Sequence, residues 1–414
     1  MRLDLPERAE KTQDEAKKDC PLLFRPITLR GITARNRIVV SPMCQYLSID
    51  GGPTDWHLVH LGRFAMGGAG IIFSEDSVVE ARGRTTHRCA GLYEDRLIPE
   101  YRRINDFLKA LGAVPAVQIG HTGRVASTRG PLEGFGPLNE EDARRGHAGW
   151  RPVEVSPGAS RADGVTPLEL DRNEIGHIIE AYAAAAVRAH KAGYDILEIH
   201  GGHGYLVHQF LSEGSNRRTD DYGGSLLGRM RFALEVVEAV RAVWPDDKPL
   251  FFRVSAVEGK GGTWGMRDTL TLGRELIGRG VDVIDCSSGG IGGPSGLPAV
   301  PRVPGFQAGY AKRVRGELGC RTMAVGGISS GPQAERILQD GAADLIAIAT
   351  EFMVEPNWPV RAARELGMED YLDLLPVHHA FRTKRRDRHL EEASRQEQLM
   401  IPYEVDESVP YTWE

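Results

Sequence analysis

From residue 36 onward, short β-branched or apolar runs alternate with amphipathic stretches of helical length, the pattern of repeated βα units around a parallel sheet. The runs are NRIVVS at 36–41, GIIFS at 70–74, VPAVQI at 114–119, DILEIH at 195–200, LFFRVS at 250–255, VDVIDCS at 281–287, TMAV at 322–325 and DLIAIA at 344–349. Eight strands of this kind close a barrel, so the expected fold is α/β, a single (β/α)8 TIM barrel with extensions at both ends.

The helical segments carry their own start and stop signals. Asp171 with Glu174 predicts a capping box ahead of Ile175, Ile178, Ile179 and Tyr182, and Gly193 is placed to end that helix. Ser225 predicts the cap of a second helix, whose Met230, Ala233, Val237 and Val240 share one face. Both faces are expected to pack on the outside of the barrel. Residues 125–165, rich in Gly, Pro and charge, break the alternation and read as an insertion between the third and fourth strands, a lid or a subunit contact. The division that follows is a charged extension at 1–20, a barrel at 21–370 and a C-terminal extension at 371–414, a candidate subunit contact.

Composition then narrows the classes of function. With 26% charged and 41% hydrophobic residues in 414, and no apolar run of membrane-spanning length, the chain reads as globular with no membrane partner. A formal net charge of -6 argues against nucleic acid and leaves a small molecule as the expected ligand. Cys20, Cys44, Cys89, Cys286 and Cys320 show no CxxC pair and no disulfide-like spacing, and the first twenty residues lack the apolar core of a secretory signal. A cytoplasmic location is expected.

In such barrels the chemistry sits at the C-terminal ends of the strands. The residues there are Pro42, Met43, Cys44 and Tyr46; Glu75 and Asp76; Gln118 and His121; His200, His203 and Tyr205; Arg253; Ser287, Ser288 and Gly289; Gly326 and Gly327; Ala349 and Thr350. The stretch EIHGGHGYLVHQF at 198–210 poses the sharpest question, because His200, His203 and His208 could bind metal, move protons or fill a loop. Their spacing, interrupted by glycines, is unlike a helical zinc pair, so no metal is expected. AVGGISSGP at 324–332 sets glycines before a helix start, a candidate phosphate cradle, with a plain β-turn as the other reading. GGIGGPSG at 289–296 has proline and no helix behind it, which argues against a Rossmann site. A phosphate grip opposite Gln118 and Arg253 suits flavin mononucleotide (FMN), although a strand-end salt bridge is an alternative role for Arg253.

SPMCQY, WHLVHLGR, VQIGHTGR, EIHGGHGYLVHQFLSEGSNRRTDDYGGS and PLFFRVSA together resemble the Old Yellow Enzymes, in particular the bacterial branch with a cysteine in the first-strand motif. The resemblance runs from LLFRPITLRGITARNRIVVSPMCQY to NWPVRAAREL. It implies a TIM barrel that carries FMN, takes hydride from NADPH or NADH, and reduces activated C=C bonds. By motif, Pro42, Met43 and Cys44 line the flavin, Cys44 tunes its potential, and Tyr46 touches substrate. Gln118 and Arg253 bind the ring, while Ser288, Gly289, Gly326 and Gly327 lie on the ribityl phosphate side. His200 and His203 bond a substrate oxygen and Tyr205 donates the proton. A homodimer or homotetramer is implied, with Arg382 as the nearest candidate for an arginine entering a neighbouring subunit's site.

Three positions depart from the family pattern. Asp76 stands beside the ring where a small residue is usual, Ala349-Thr350 replaces a phosphate-side Gly-Arg, and the long tail carries RTKRRDRH at 382–389. The competing readings are a relative with a specialised or oxidative flavin reaction and a flavin-free barrel acting as a binding protein or lyase.

Overall fold

All eight apolar runs form strands, and in the computed structural model they close a parallel barrel in chain order. They are β1 (Ile38–Val40), β2 (Ile71–Val78), β3 (Val114–Gly120), β4 (Ile196–Gly201), β5 (Leu250–Ser255), β6 (Val283–Ser287), β7 (Arg321–Val325) and β8 (Leu345–Ile348), with β8 pairing back onto β1. The structure describes residues 20–156, 165–259, 262–291 and 302–395. Residues 1–19 and 396–414 of the terminal extensions, the greater part of GGIGGPSG, residues 260–261 and the insertion's residues 157–164 lie outside the described residues.

Strands buried on both sides show no polar alternation, yet their two faces do different things. Val39, Ile71, Phe73, Val114, Ala116, Ile196, Phe251, Val283, Met323 and Leu345 form one apolar cluster inside the barrel. Ile27, Leu29 and Ala34 of a short hairpin join that cluster, so the hairpin closes the end away from the site. Further along the same inward rows stand Gln118, Glu198, His200, Arg253, Ser255, Asp285 and Ser287, so polar groups collect at the C-terminal mouth.

Outside, the helix Arg172–Lys191 buries Ile175, Ile178 and Tyr182, and Leu226–Val243 buries Met230, Ala233, Val237 and Val240, as their periodicity predicts. Asp171 accepts the Glu174 N–H at 2.8 Å, but the Glu174 carboxylate takes Arg82 at 3.0 Å, so only half of the expected capping box forms. Ser225 caps its helix by accepting the Gly228 N–H at 3.1 Å. The insertion holds a short helix, Glu140–Arg144, and its tip returns to the mouth where Phe135 meets Tyr46.

Candidate functional site

The turn after β4 brings the two expected histidines together. His203 Nδ1 lies 3.3 Å from His200 Nε2, and the Tyr205 ring stands edge-on to His200 with centroids 4.9 Å apart. His203 adopts a left-handed backbone, φ 55°, which is uncommon for a residue with a side chain. The strain, of order 1–3 kcal/mol, is offset by three anchors. The His203 N–H donates to Ser255 Oγ at 2.9 Å, its Nε2 bonds Ser287 Oγ at 2.6 Å, and Ser255 Oγ donates on to the Gly289 carbonyl at 2.7 Å. Gly201 lets the turn approach β5, since a Cβ there would meet the Phe252 ring at 2.3 Å.

His208 does not join this pair. It is buried in the helix Leu206–Leu211, where its Nδ1 accepts the Gly204 N–H at 3.0 Å and its Nε2 faces Glu258 Oε1 at 3.5 Å. It supports the turn from behind.

Burial, reinforced by neighbouring His203 and Arg253, pulls the His200 pKa well below its usual value, and burial with Arg253 does the same to His203. Both imidazoles are therefore neutral, and each has one N–H to donate. Burial pushes the Tyr205 phenol well above its usual range, so it holds its proton at rest. His200 Nδ1 has no hydrogen-bond partner among the described residues.

Across the mouth, Gln118 donates to Glu198 Oε1 at 2.8 Å, leaving its own carbonyl for a ligand, and Glu198 Oε2 has no partner among the described residues. Arg253 pairs with Asp285 at 3.1 Å and reaches Ser41 Oγ at 3.4 Å, so the strand-end salt bridge exists and still points the guanidinium into the mouth. Sequence reasoning listed neither Glu198 nor Asp285 as site residues. Their signal was their position two residues before His200 and Ser287, on the same inward rows.

The loop after β1 carries Pro42, Met43, Cys44 and Tyr46 to the same rim. Glu75 fixes it by accepting the Gln45 N–H at 3.0 Å while its other oxygen pairs with His57 Nε2 at 2.8 Å. Burial, then Glu75 and Asp76, push the Cys44 thiol up. Tyr46 is edge-on to Phe135 of the insertion, centroids 6.0 Å apart, and no signal local to residue 135 announced that contact.

On the β6 to β8 side, Ser288 Oγ donates to Gln307 at 2.7 Å, and Gly289, Gly326 and Gly327 all have positive φ. A Cβ at Gly326 would meet the Phe306 ring at 2.9 Å. The following helix, Gly331–Gln339, is capped from within, because the Gly331 N–H donates to Glu365 at 2.7 Å and Ser330 accepts the Gln333 N–H. The cradle expected there thus narrows to the glycine loop itself. Ala349 and exposed Thr350 open the short helix Thr350–Val354. Arg382 is exposed on the helix Val377–Arg395, its guanidinium over the Phe381 ring.

These residues fit FMN. Two successive left-handed glycines, a free Gln118 carbonyl, an inward guanidinium and an unpartnered carboxyl oxygen match a ring with donor and acceptor edges and a phosphate tail.

Comparison with known proteins agrees. Residues 22–369 match the NADH:flavin oxidoreductase / NADH oxidase family. An NADPH dehydrogenase of Geobacillus sp. (strain WCH70) is 39% identical over 349 residues, covering 84% of this chain and 95% of that protein. One from Halalkalibacterium halodurans is 40% identical over 349 residues, covering 83% and 95%. Among solved structures, morphinone reductase in complex with tetrahydroNAD superimposes with a TM-score of 0.67 at 28% identity, covering 84% of this chain and 92% of that one. With its barrel, its histidine pair and a family match over most of its length, the chain belongs to the NADH:flavin oxidoreductase / NADH oxidase family, that of the Old Yellow Enzymes.

Proposed function

We propose that the chain is an NAD(P)H-dependent, FMN-containing ene-reductase acting on the activated C=C bond of an α,β-unsaturated carbonyl or similar electron-poor compound. The observation that carries this reading is the convergence of His200 Nε2 and His203 Nδ1, 3.3 Å apart, beside the Tyr205 ring. FMN, when bound, supplies hydride transfer from NAD(P)H to the substrate's β carbon.

The chain's own residues do the rest. Gln118 and Arg253 would hold the polar edge of the ring, Pro42, Met43 and Cys44 would line it, and Ser288, Gly289, Gly326, Gly327, Ala349 and Thr350 would flank the phosphate. Two neutral N–H donors on one substrate oxygen stabilise the enolate-like charge that grows there, which lowers the barrier rather than merely tightening binding. Tyr205, kept protonated by burial, delivers its proton to the α carbon. Tyr46 touches the substrate, and Phe135 extends that aromatic wall.

The same reading makes the enzyme a cytoplasmic homodimer or homotetramer, with Arg382 reaching a neighbouring subunit's site. The exposed helix that carries Arg382 and the five free cysteines support it. No helix among the described residues is long and apolar enough to cross a membrane.

An anaerobic spectral titration tests the function. The purified protein should show a flavin spectrum that NADPH bleaches and cyclohexenone restores. Absence of flavin, or bleaching with no reoxidation by any activated alkene, would overturn the reading.

A further inference from the structure

The mouth holds an acid that the chemistry above does not use. Simple alternation from Ile71 and Phe73 would turn Glu75 inward, but β2 shifts register between Phe73 and Asp76. The bulge sends Glu75 out to His57 and Gln45 and brings Asp76 in, opposite Gln118 of β3. The carboxyl packs on Gly120, where a Cβ would sit 2.4 Å from Asp76 Oδ1. It is 6% exposed, and Oδ1 has no hydrogen-bond partner among the described residues.

The groups around it leave it without a counter-charge of its own. Asp76, Glu198 and Asp285 share the mouth with Arg253, which is already paired with Asp285. Glu198 has the Gln118 amide; Asp76 has no equivalent donor on Oδ1. Cys44 and Tyr46 from the β1 loop, Tyr182 from the outer helix and Tyr205 from the β4 turn also bear on it, and burial makes all four hold their protons. Glu75, its neighbour in sequence, adds repulsion.

We propose that Asp76, when ionised, is a redox-linked proton acceptor, taking one proton from solvent as the bound flavin is reduced, so that the buried layer gains no net charge. This rests on the flavin reading above, since Gln118, the register partner of Asp76, is there a ring-binding residue. The balance is complete. NAD(P)H is oxidised to NAD(P)+, the ring gains two electrons and one proton as hydride, and a separate proton from water forms the O–H bond at Asp76. Reoxidation by substrate returns that proton to solvent. Burial, then Glu75, push the Asp76 carboxyl up to about 8, with Arg253 pulling the other way. An added negative charge on the ring raises it further. Below about pH 8 the carboxyl is protonated in both redox states; above it, reduction draws in the extra proton.

Spectroelectrochemistry of FMN-loaded protein from about pH 6 to 10 spans the window. In the wild type the midpoint potential should fall with one proton per two electrons below about pH 8 and with two above it. The upper limb is then steeper by about 30 mV per pH unit, a tenfold change in proton concentration converted for a two-electron couple. Asp76→Asn, an isosteric neutral amide, should give a single slope, and Asp76→Ala should do the same. A straight line in the wild type, or an unchanged break in both variants, overturns the proposal while leaving the flavoenzyme intact. If none of the proteins holds FMN, the flavin reading falls and this inference with it.

Discussion

His203 Nε2 lies 2.6 Å from the Ser287 hydroxyl at the end of β6. A hydroxyl that donates to Nε2 leaves the ring proton on Nδ1, the nitrogen that faces His200 and, in the proposed mechanism, the substrate oxygen. We infer that Ser287 donates here and so selects the useful tautomer. Ser287→Ala is expected to weaken the binding of p-hydroxybenzaldehyde phenolate by roughly tenfold, the loss of one modest hydrogen bond. Flavin reduction by NADPH should be little changed. Charge-transfer absorbance titrating identically in the two proteins would show that the tautomer is set elsewhere.

In the proposed mechanism Tyr205 separates the two half-reactions. Its proton is used only when the α carbon is protonated, and burial keeps the phenol un-ionised well past its ordinary range. Tyr205→Phe is expected to leave NADPH-driven bleaching nearly intact and to slow reoxidation by cyclohexenone by about 10²-fold or more. Stopped-flow traces of each half-reaction make the comparison. Equal slowing of both would remove Tyr205 from proton delivery.

Phe135 reaches the mouth from the insertion and stands edge-on to Tyr46. Both have left-handed backbones, φ 54° each, so the pair is held in uncommon conformations on two separate loops. Phe135 is nonetheless 49% exposed, as a wall that waits for a ligand would be. Phe135→Ala is expected to raise KM for aromatic enones by several-fold, an aromatic contact of about 0.5–1.5 kcal/mol, and to change KM for acrolein-sized substrates much less. A uniform change across substrates of different size would point to loop folding instead.

The eight strands and the histidine pair were legible because each rests on local information: apolar runs bounded by turn residues, and three polar side chains within six positions of one turn. The inward layer was harder to read. In a strand buried on both sides, Glu198 and Asp285 look no different from their neighbours until the barrel register turns them inward. Asp76 was expected beside the ring from the family motif alone. That it lies inside while Glu75 turns out depends on a bulge, which no periodicity in SEDSVV announces. Phe135 and Tyr46 are 89 positions apart, and their meeting depends on how the insertion folds back. The half-formed cap at Asp171 has the same cause, because Arg82 competes for Glu174 from far away in sequence.

In the proposed reading Thr350, at the start of the helix Thr350–Val354, takes the place of the family's phosphate-side arginine. A phosphate held there by backbone N–H groups and a hydroxyl lacks the charge-assisted bonds worth about 1.5–3 kcal/mol each. FMN is therefore expected to wash out of this protein more readily than from a relative with the arginine. Thr350→Arg should tighten FMN by roughly tenfold, measured by flavin fluorescence on titrating apoprotein. The neighbouring acids do not stand in the way, since Arg361 already pairs with Glu351, Glu355 and Glu365. The side chain at 350 is exposed, so the larger residue displaces no core packing. If the affinity does not change, another cation serves the phosphate. Exposed Arg302 and Lys312 are then the residues to replace, each by Gln, with a loss of FMN affinity identifying the one responsible.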